Sequence, residues 1–187
     1  MTFSLRRQLL LCLAMVLASL FLIIVVQRAQ LPDALLAGLP WPQQALLGIL
    51  LGAATGGGSF ISALRKPDAA SVRRTAESYG RLDLGGLNPV WISMAAGIGE
   101  EMLFRAALQP LAGIWLSSLL FLALHSKAYD FRKLDRTALL QAAGVFGMSV
   151  VLGLVYRYAG LLAAILFHTV TDILGLYAVR RLAAMSK

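Results

Sequence analysis

The sequence predicts an all-α polytopic membrane bundle of about six transmembrane helices with both termini cytoplasmic, and three observations predict it. Of 187 residues, 59% are apolar, against roughly 45–50% in a soluble domain, and the mean hydropathy is +0.76. The apolar residues gather in runs able to cross a bilayer at about 1.5 Å per helical residue. The basic residues gather in alternate loops, as cytoplasmic segments do.

The first run, Leu9 to Val26, follows Arg6 and Arg7. A secretory signal shares that basic start, but its apolar core is about 7–15 residues and ends at a small-residue cleavage site. Here Gln27-Arg28-Ala29-Gln30 follows directly, so the run reads as a retained helix. Pro32, Pro40 and Pro42 mark the next stretch as a loop or interfacial segment. The second span, about Gln44 to Leu64, carries Gly48, Gly52 and Gly56 on one stripe, where another helix can approach closely. Residues 65–87 form the longest polar segment, a cytoplasmic loop expected to be partly helical along the lipid surface.

Asn88-Pro89 predicts a helix start, with Asn as cap and Pro in the first turn. The third span then runs to about Gln109, and Pro110 and Gly113 mark a reversal. The fourth covers Leu111 to His125, the fifth Thr137 to Tyr156 and the sixth Leu161 to Val179. This arrangement puts fourteen of the 17 basic residues on one side, including Lys127, Arg132, Lys133, Arg136 and Lys187. Only Arg28 and Arg157 fall opposite, and Arg105 is intramembrane. The net charge of +8 is thus absorbed by topology, which leaves nucleic-acid binding nothing to explain. The chain reads as a single membrane domain over residues 1–187, with N-terminal spans in 9–64 and a catalytic helical core in 88–179. A lone cysteine, Cys12, excludes an intramolecular disulfide and reads as a small buried apolar residue.

The costliest residues to place are Glu100, Glu101 and Arg105, inside the third span. An ionised group near the bilayer centre costs at least about 2.5–3.5 kcal/mol, so it persists only with partners or a wet cavity. The other ionisable groups in or ending the spans are His125, His168 and Asp172. Counted from the outer turns at about 1.5 Å per residue, Glu101 lies about 13.5 Å deep, His168 about 12 Å and His125 about 22 Å. The first two are level, and His125 is expected about two turns nearer the cytoplasm. On a helix Glu101 meets Arg105 at i,i+4, whereas Glu100 points about 100° away. Glu101 is then the structural carboxylate and Glu100 the freer one, the candidate general base. By the same spacing Phe121 packs on His125, and Asp172 accepts from His168 and fixes its tautomer.

Glu-Glu-x-x-x-Arg at 100–105, Phe-x-x-x-His at 121–125 and His-x-x-x-Asp at 168–172 occur in this order on successive helices. Together they resemble the three motifs of the CPBP family, also called Abi or CAAX protease and bacteriocin-processing. Leu152-Gly153-Leu154 and the run Leu161 to His168 resemble the family's approach to its third motif. The resemblance implies a glutamate-dependent intramembrane protease. Glu100 would activate water with His125, His168 and Asp172 would polarise the scissile carbonyl and its oxyanion, and Glu101 and Arg105 would support Glu100. The third motif often ends in Asn, a donor, where this chain has Asp172, which as a carboxylate can only accept.

The expected activity is therefore an endopeptidase acting on a membrane-anchored protein or peptide, in a bacterial inner membrane and in contact with lipid. No cofactor is required. A zinc ion held by Glu100, His125 and His168 is the metal alternative, although no His-Glu-x-x-His is present. A non-proteolytic bacteriocin-immunity or partner-binding protein, and a proton-coupled transporter using Glu100, are the other readings of intramembrane carboxylates.

Overall fold

The computed structural model describes residues 4–126 and 135–185. The basic residues Lys127, Arg132, Lys133 and Lys187 lie outside the described residues. In chain order the helices are α1 Leu5–Phe21, α2 Leu31–Leu36, α3 Trp41–Arg65, α4 Ala70–Tyr79, α5 Asn88–Glu101, α6 Gln109–His125, α7 Arg136–Tyr158 and α8 Leu161–Met185. A π-helical turn, Leu22–Val26, extends α1, and a longer one, Met102–Leu108, joins α5 to α6. Leu9, Leu13, Leu17, Leu50, Trp115 and Leu140 stand exposed on the outer faces, as lipid-facing side chains do.

Among the described residues, five continuous stretches are long and apolar enough to cross a membrane, where about six spans are expected. The difference lies at Asn88–His125, where the third and fourth expected spans are one helical stretch. Pro110 does not break it, because proline is tolerated in a first helical turn, here that of α6. Gly113 does, with φ 74° and ψ 169°, a conformation that favours glycine. Phe104 and Phe121 would lie about 25 Å apart along an unbroken helix, yet their rings meet at 5.0 Å. The Ser117 hydroxyl also donates to the Phe104 carbonyl at 2.8 Å. The stretch therefore doubles back on itself as a hairpin.

Central in the bundle is α8, which packs against α3, α5 and α7. Its broadest contact is with α3, along the glycine stripe. A Cβ at Gly48 would stand 2.5 Å from the Ala163 carbonyl oxygen, one at Gly52 2.7 Å from Val170 Cβ, and one at Gly56 2.9 Å from Thr171 Cα. Glycine is needed at all three, because any side chain would push the helices apart. Two further glycines seat α5: Gly97 lies against Thr169 of α8, and Gly99 against Cys12 and Met15 of α1.

The start of α8 is capped from a distance. Gln44 Oε1 accepts from the Leu162 and Ala163 amides at 3.1 and 3.4 Å, while its Nε2 donates to the Leu39 carbonyl at 2.7 Å. One buried amide thus satisfies donors that every helix N-terminus leaves open. The Asn cap expected at 88 is absent: α5 begins at Asn88 itself, with Leu87 before it and no side-chain cap bond. Pro32 and its neighbours, expected as loop or interface, include the short α2. In the polar segment, α4 is tied to the start of α7 by Arg74, whose two terminal nitrogens reach Asp135 at 3.2 and 2.6 Å. Asp135 also caps α7 by accepting from the Ala138 amide at 2.8 Å. Arg74 and that cap hold the Asp135 carboxyl down at about 2.

Candidate active site

The site is built where α5 loosens into its π-helical continuation, directly after Glu101. Widening a helix to i→i+5 leaves backbone groups without their usual partners, and Pro110 adds another deficit by lacking an N–H for Ala106. Side chains fill the gap. Gln27, at the end of the first stretch, donates its amide to the Ala106 and Ala107 carbonyls at 3.0 and 2.7 Å. Ser117 takes the Phe104 carbonyl. The irregular turn is thereby held in one conformation from two sides.

Glu101 and Arg105 are both fully buried. Arg105 Nε donates to Glu101 Oε2 at 3.0 Å, as i,i+4 spacing predicts. The other carboxylate oxygen, Oε1, lies 2.8 Å from His168 Nδ1 on α8. Arg105 Nη2 donates to Ser149 Oγ on α7 at 2.9 Å, and its guanidinium carbon lies 5.5 Å from the Phe121 ring centroid. A buried charge pair is tolerable only when its remaining donors and acceptors are also engaged, and three helices engage these.

The second histidine comes from the return limb of the hairpin. Phe121 stacks on His125 at 4.3 Å with 19° between the planes. His125 Nδ1 lies 2.9 Å from the Phe121 carbonyl. A carbonyl only accepts, so Nδ1 carries the proton, and the neutral ring presents Nε2 as an acceptor. That Nε2 lies 3.7 Å from Glu100 Oε2, and His168 Nε2 lies 4.0 Å from the same oxygen. Glu100 Oε2 is buried and has no hydrogen-bond partner among the described residues. One carboxylate oxygen thus faces two imidazoles at separations a single water molecule can bridge.

All six predicted polar residues come together, together with Phe121, and one placement differs from expectation. His125 is not two turns away from Glu100, because Gly113 breaks the fourth span and α6 folds back against the π-helical turn at Phe104 and Phe121. Asp172 does meet His168 at i,i+4, Oδ2 3.4 Å from Nε2 and partly exposed, but the shorter contact to the ring is one not expected, from Glu101 to Nδ1 at 2.8 Å. Side-chain periodicity relates residues within one helix and is silent about which neighbouring helix a carboxylate faces. For the same reason it missed Ser149 and Gln27, polar residues whose roles appear only when α7 and α1 are docked. Among the described residues no group of three His, Cys, Asp or Glu side chains is arranged to hold a metal ion; Glu100, His125 and His168, the set expected for zinc, stand with Glu100 Oε2 3.7 and 4.0 Å from the two Nε2 atoms.

Residues 86–174 match the family model described as type II CAAX prenyl endopeptidase Rce1-like. The chain is also similar to the uncharacterized protein YpbD of Bacillus subtilis (strain 168), with 38% identity over 71 residues. That match covers 38% of this chain and 34% of the relative, so the chain spans about a third of the relative's length. No solved structure matches significantly.

Proposed function

Because residues 86–174 carry an Rce1-like type II CAAX prenyl endopeptidase domain of the CPBP family, we propose that this protein is an intramembrane endopeptidase in which Glu100 activates water. The observation that carries the reading is the buried Oε2 of Glu100, unpartnered among the described residues and facing Nε2 of His125 and of His168 at 3.7 and 4.0 Å. Water held between Glu100 and His125 donates one hydrogen to each acceptor, which leaves a lone pair for the scissile carbonyl carbon. Glu100 takes the proton as hydroxide adds, and returns it to the departing amine as the C–N bond breaks. In its imidazolium form His168 donates Nδ1–H to Glu101 and turns Nε2–H to the oxyanion, stabilised the more in a dry site. Asp172, beside that nitrogen, orients it. No step requires a metal.

The substrate class is a membrane-associated protein or peptide, which enters from lipid. Counting the hairpin as two crossings gives six, with Arg65, Lys66, Arg73, Arg74, Arg180 and Arg181 on the cytoplasmic side together with both termini. The similarity to a bacterial protein supports a bacterial inner membrane. The reading is tested by incubating the purified protein in liposomes with candidate membrane-anchored substrates, with and without a zinc chelator, and identifying cut ends by mass spectrometry. Cleavage at a fixed bond that survives the chelator is expected. Cleavage lost to the chelator and restored by zinc overturns the metal-free mechanism.

A further inference from the structure

The residues assigned to the chemistry lie on the hairpin and on α8, yet the buried network reaches a further helix, α7. Ser149 of α7 is fully buried and accepts from Arg105 Nη2 at 2.9 Å. Arg105 makes one other side-chain hydrogen bond, from Nε to Glu101, and its Nη1 has no partner among the described residues. Two bonds from different nitrogens of a planar group fix its plane. With the Ser149 bond removed, the guanidinium can turn about its Cδ–Nε bond.

Two arms leave that plane. One runs from Arg105 Nε through Glu101 to His168 Nδ1, at 3.0 and 2.8 Å. The other runs from the guanidinium face to Phe121, 5.5 Å away, and on to His125, stacked at 4.3 Å. Ser149 bonds to Arg105 rather than to Glu100 or a histidine, yet it anchors the group from which both imidazoles are set. From this geometry we infer that Ser149 is a positioning residue for both histidines, acting through Arg105; this rests on the proposed peptidase reading for its effect on rate.

The chain holds only two histidines, so selective histidine labelling gives one NMR signal set for each, in detergent and without substrate. In Ser149→Ala both imidazole signals are expected to shift from their wild-type positions. In Ser118→Ala, which deletes a fully buried hydroxyl with no side-chain partner among the described residues, neither is expected to move. Ser149→Cys, close in size but a weak acceptor, is expected to give intermediate shifts, and it carries the test if the alanine variant fails to fold. With an active preparation, Ser149→Ala is expected to lower kcat by about tenfold, with KM little changed, as befits a lost bond to a charged donor. Signals in Ser149→Ala and Ser149→Cys that superimpose on wild type overturn the inference. Shifted signals in a protein that cleaves nothing leave the inference standing and count against the peptidase reading instead.

Discussion

At the scale of single residues, the two adjacent glutamates have opposite surroundings, and this predicts opposite phenotypes. Glu101 is engaged on both oxygens, by Arg105 and by His168. Its replacement by Gln leaves the buried Arg105 charge uncompensated, at a cost of about 3–5 kcal/mol, visible as a lowered melting temperature in detergent. Glu100 Oε2 has no such partner among the described residues. Glu100→Gln is therefore expected to melt like wild type while losing on the order of 10²- to 10⁴-fold in kcat. The difference in surroundings was legible in the sequence, because i,i+4 geometry commits Glu101 to Arg105. What was not legible was the bond from Glu101 to His168, since it depends on how α8 is rotated against α5.

At the scale of elements, the glycine stripe of α3 is the clearest case of sequence specifying packing. Gly52→Val would drive its side chain into Val170 and the Phe167 carbonyl, and is expected to cost about 1–3 kcal/mol as overpacking. Gly57 is also in α3 but meets nothing within 4 Å. Gly57→Ala is expected to be neutral or to stabilise by up to about 1 kcal/mol through helix propensity. Thermal unfolding of the two variants checks the contrast. The surface helix α4 gives a pH prediction. Its bond to α7 lowers the Asp135 carboxyl from 3.8 to about 2. A carboxyl depressed by folding contributes stability above its unfolded value and loses it as pH falls through the folded one. Protection of α4 amides from hydrogen exchange is expected to fall between about pH 4 and 2. Asp135→Asn, which keeps a capping oxygen, should remove that acid dependence. The sequence suggested a partly helical segment at 65–87, but the Arg74–Asp135 bond joins residues 61 positions apart and has no local signal.

At the scale of the whole molecule, helix count and hydrophobic order were readable, and the fold of the third stretch was only half so. Pro110 and Gly113 signalled a reversal, and Gly113 supplies it. Counting depth from Pro110 puts His125 about two turns nearer the cytoplasm than Glu101, whereas the break falls three residues later, at Gly113, the late start of the fourth helix that brings His125 closer. A π-helical turn has no compositional signature here, and its stabilising carbonyl contacts come from Gln27, some eighty residues away. The hairpin makes a topological prediction. In a Cys12→Ser background, Glu77→Cys and Met185→Cys are expected to react with an impermeant thiol reagent from one side of the membrane, and Arg157→Cys from the other. A single crossing at Asn88–His125 would instead place Glu77 and Arg157 on the same side.

The central claim is that one carboxylate in this bundle, Glu100, performs the chemistry. Its most direct test is the appearance of a new peptide end, followed by mass spectrometry, when a membrane-anchored substrate cleaved by wild type is given to Glu100→Ala in the same liposomes. The account predicts no product above the uncatalysed background, and cleavage by Glu100→Ala at the wild-type rate would contradict it.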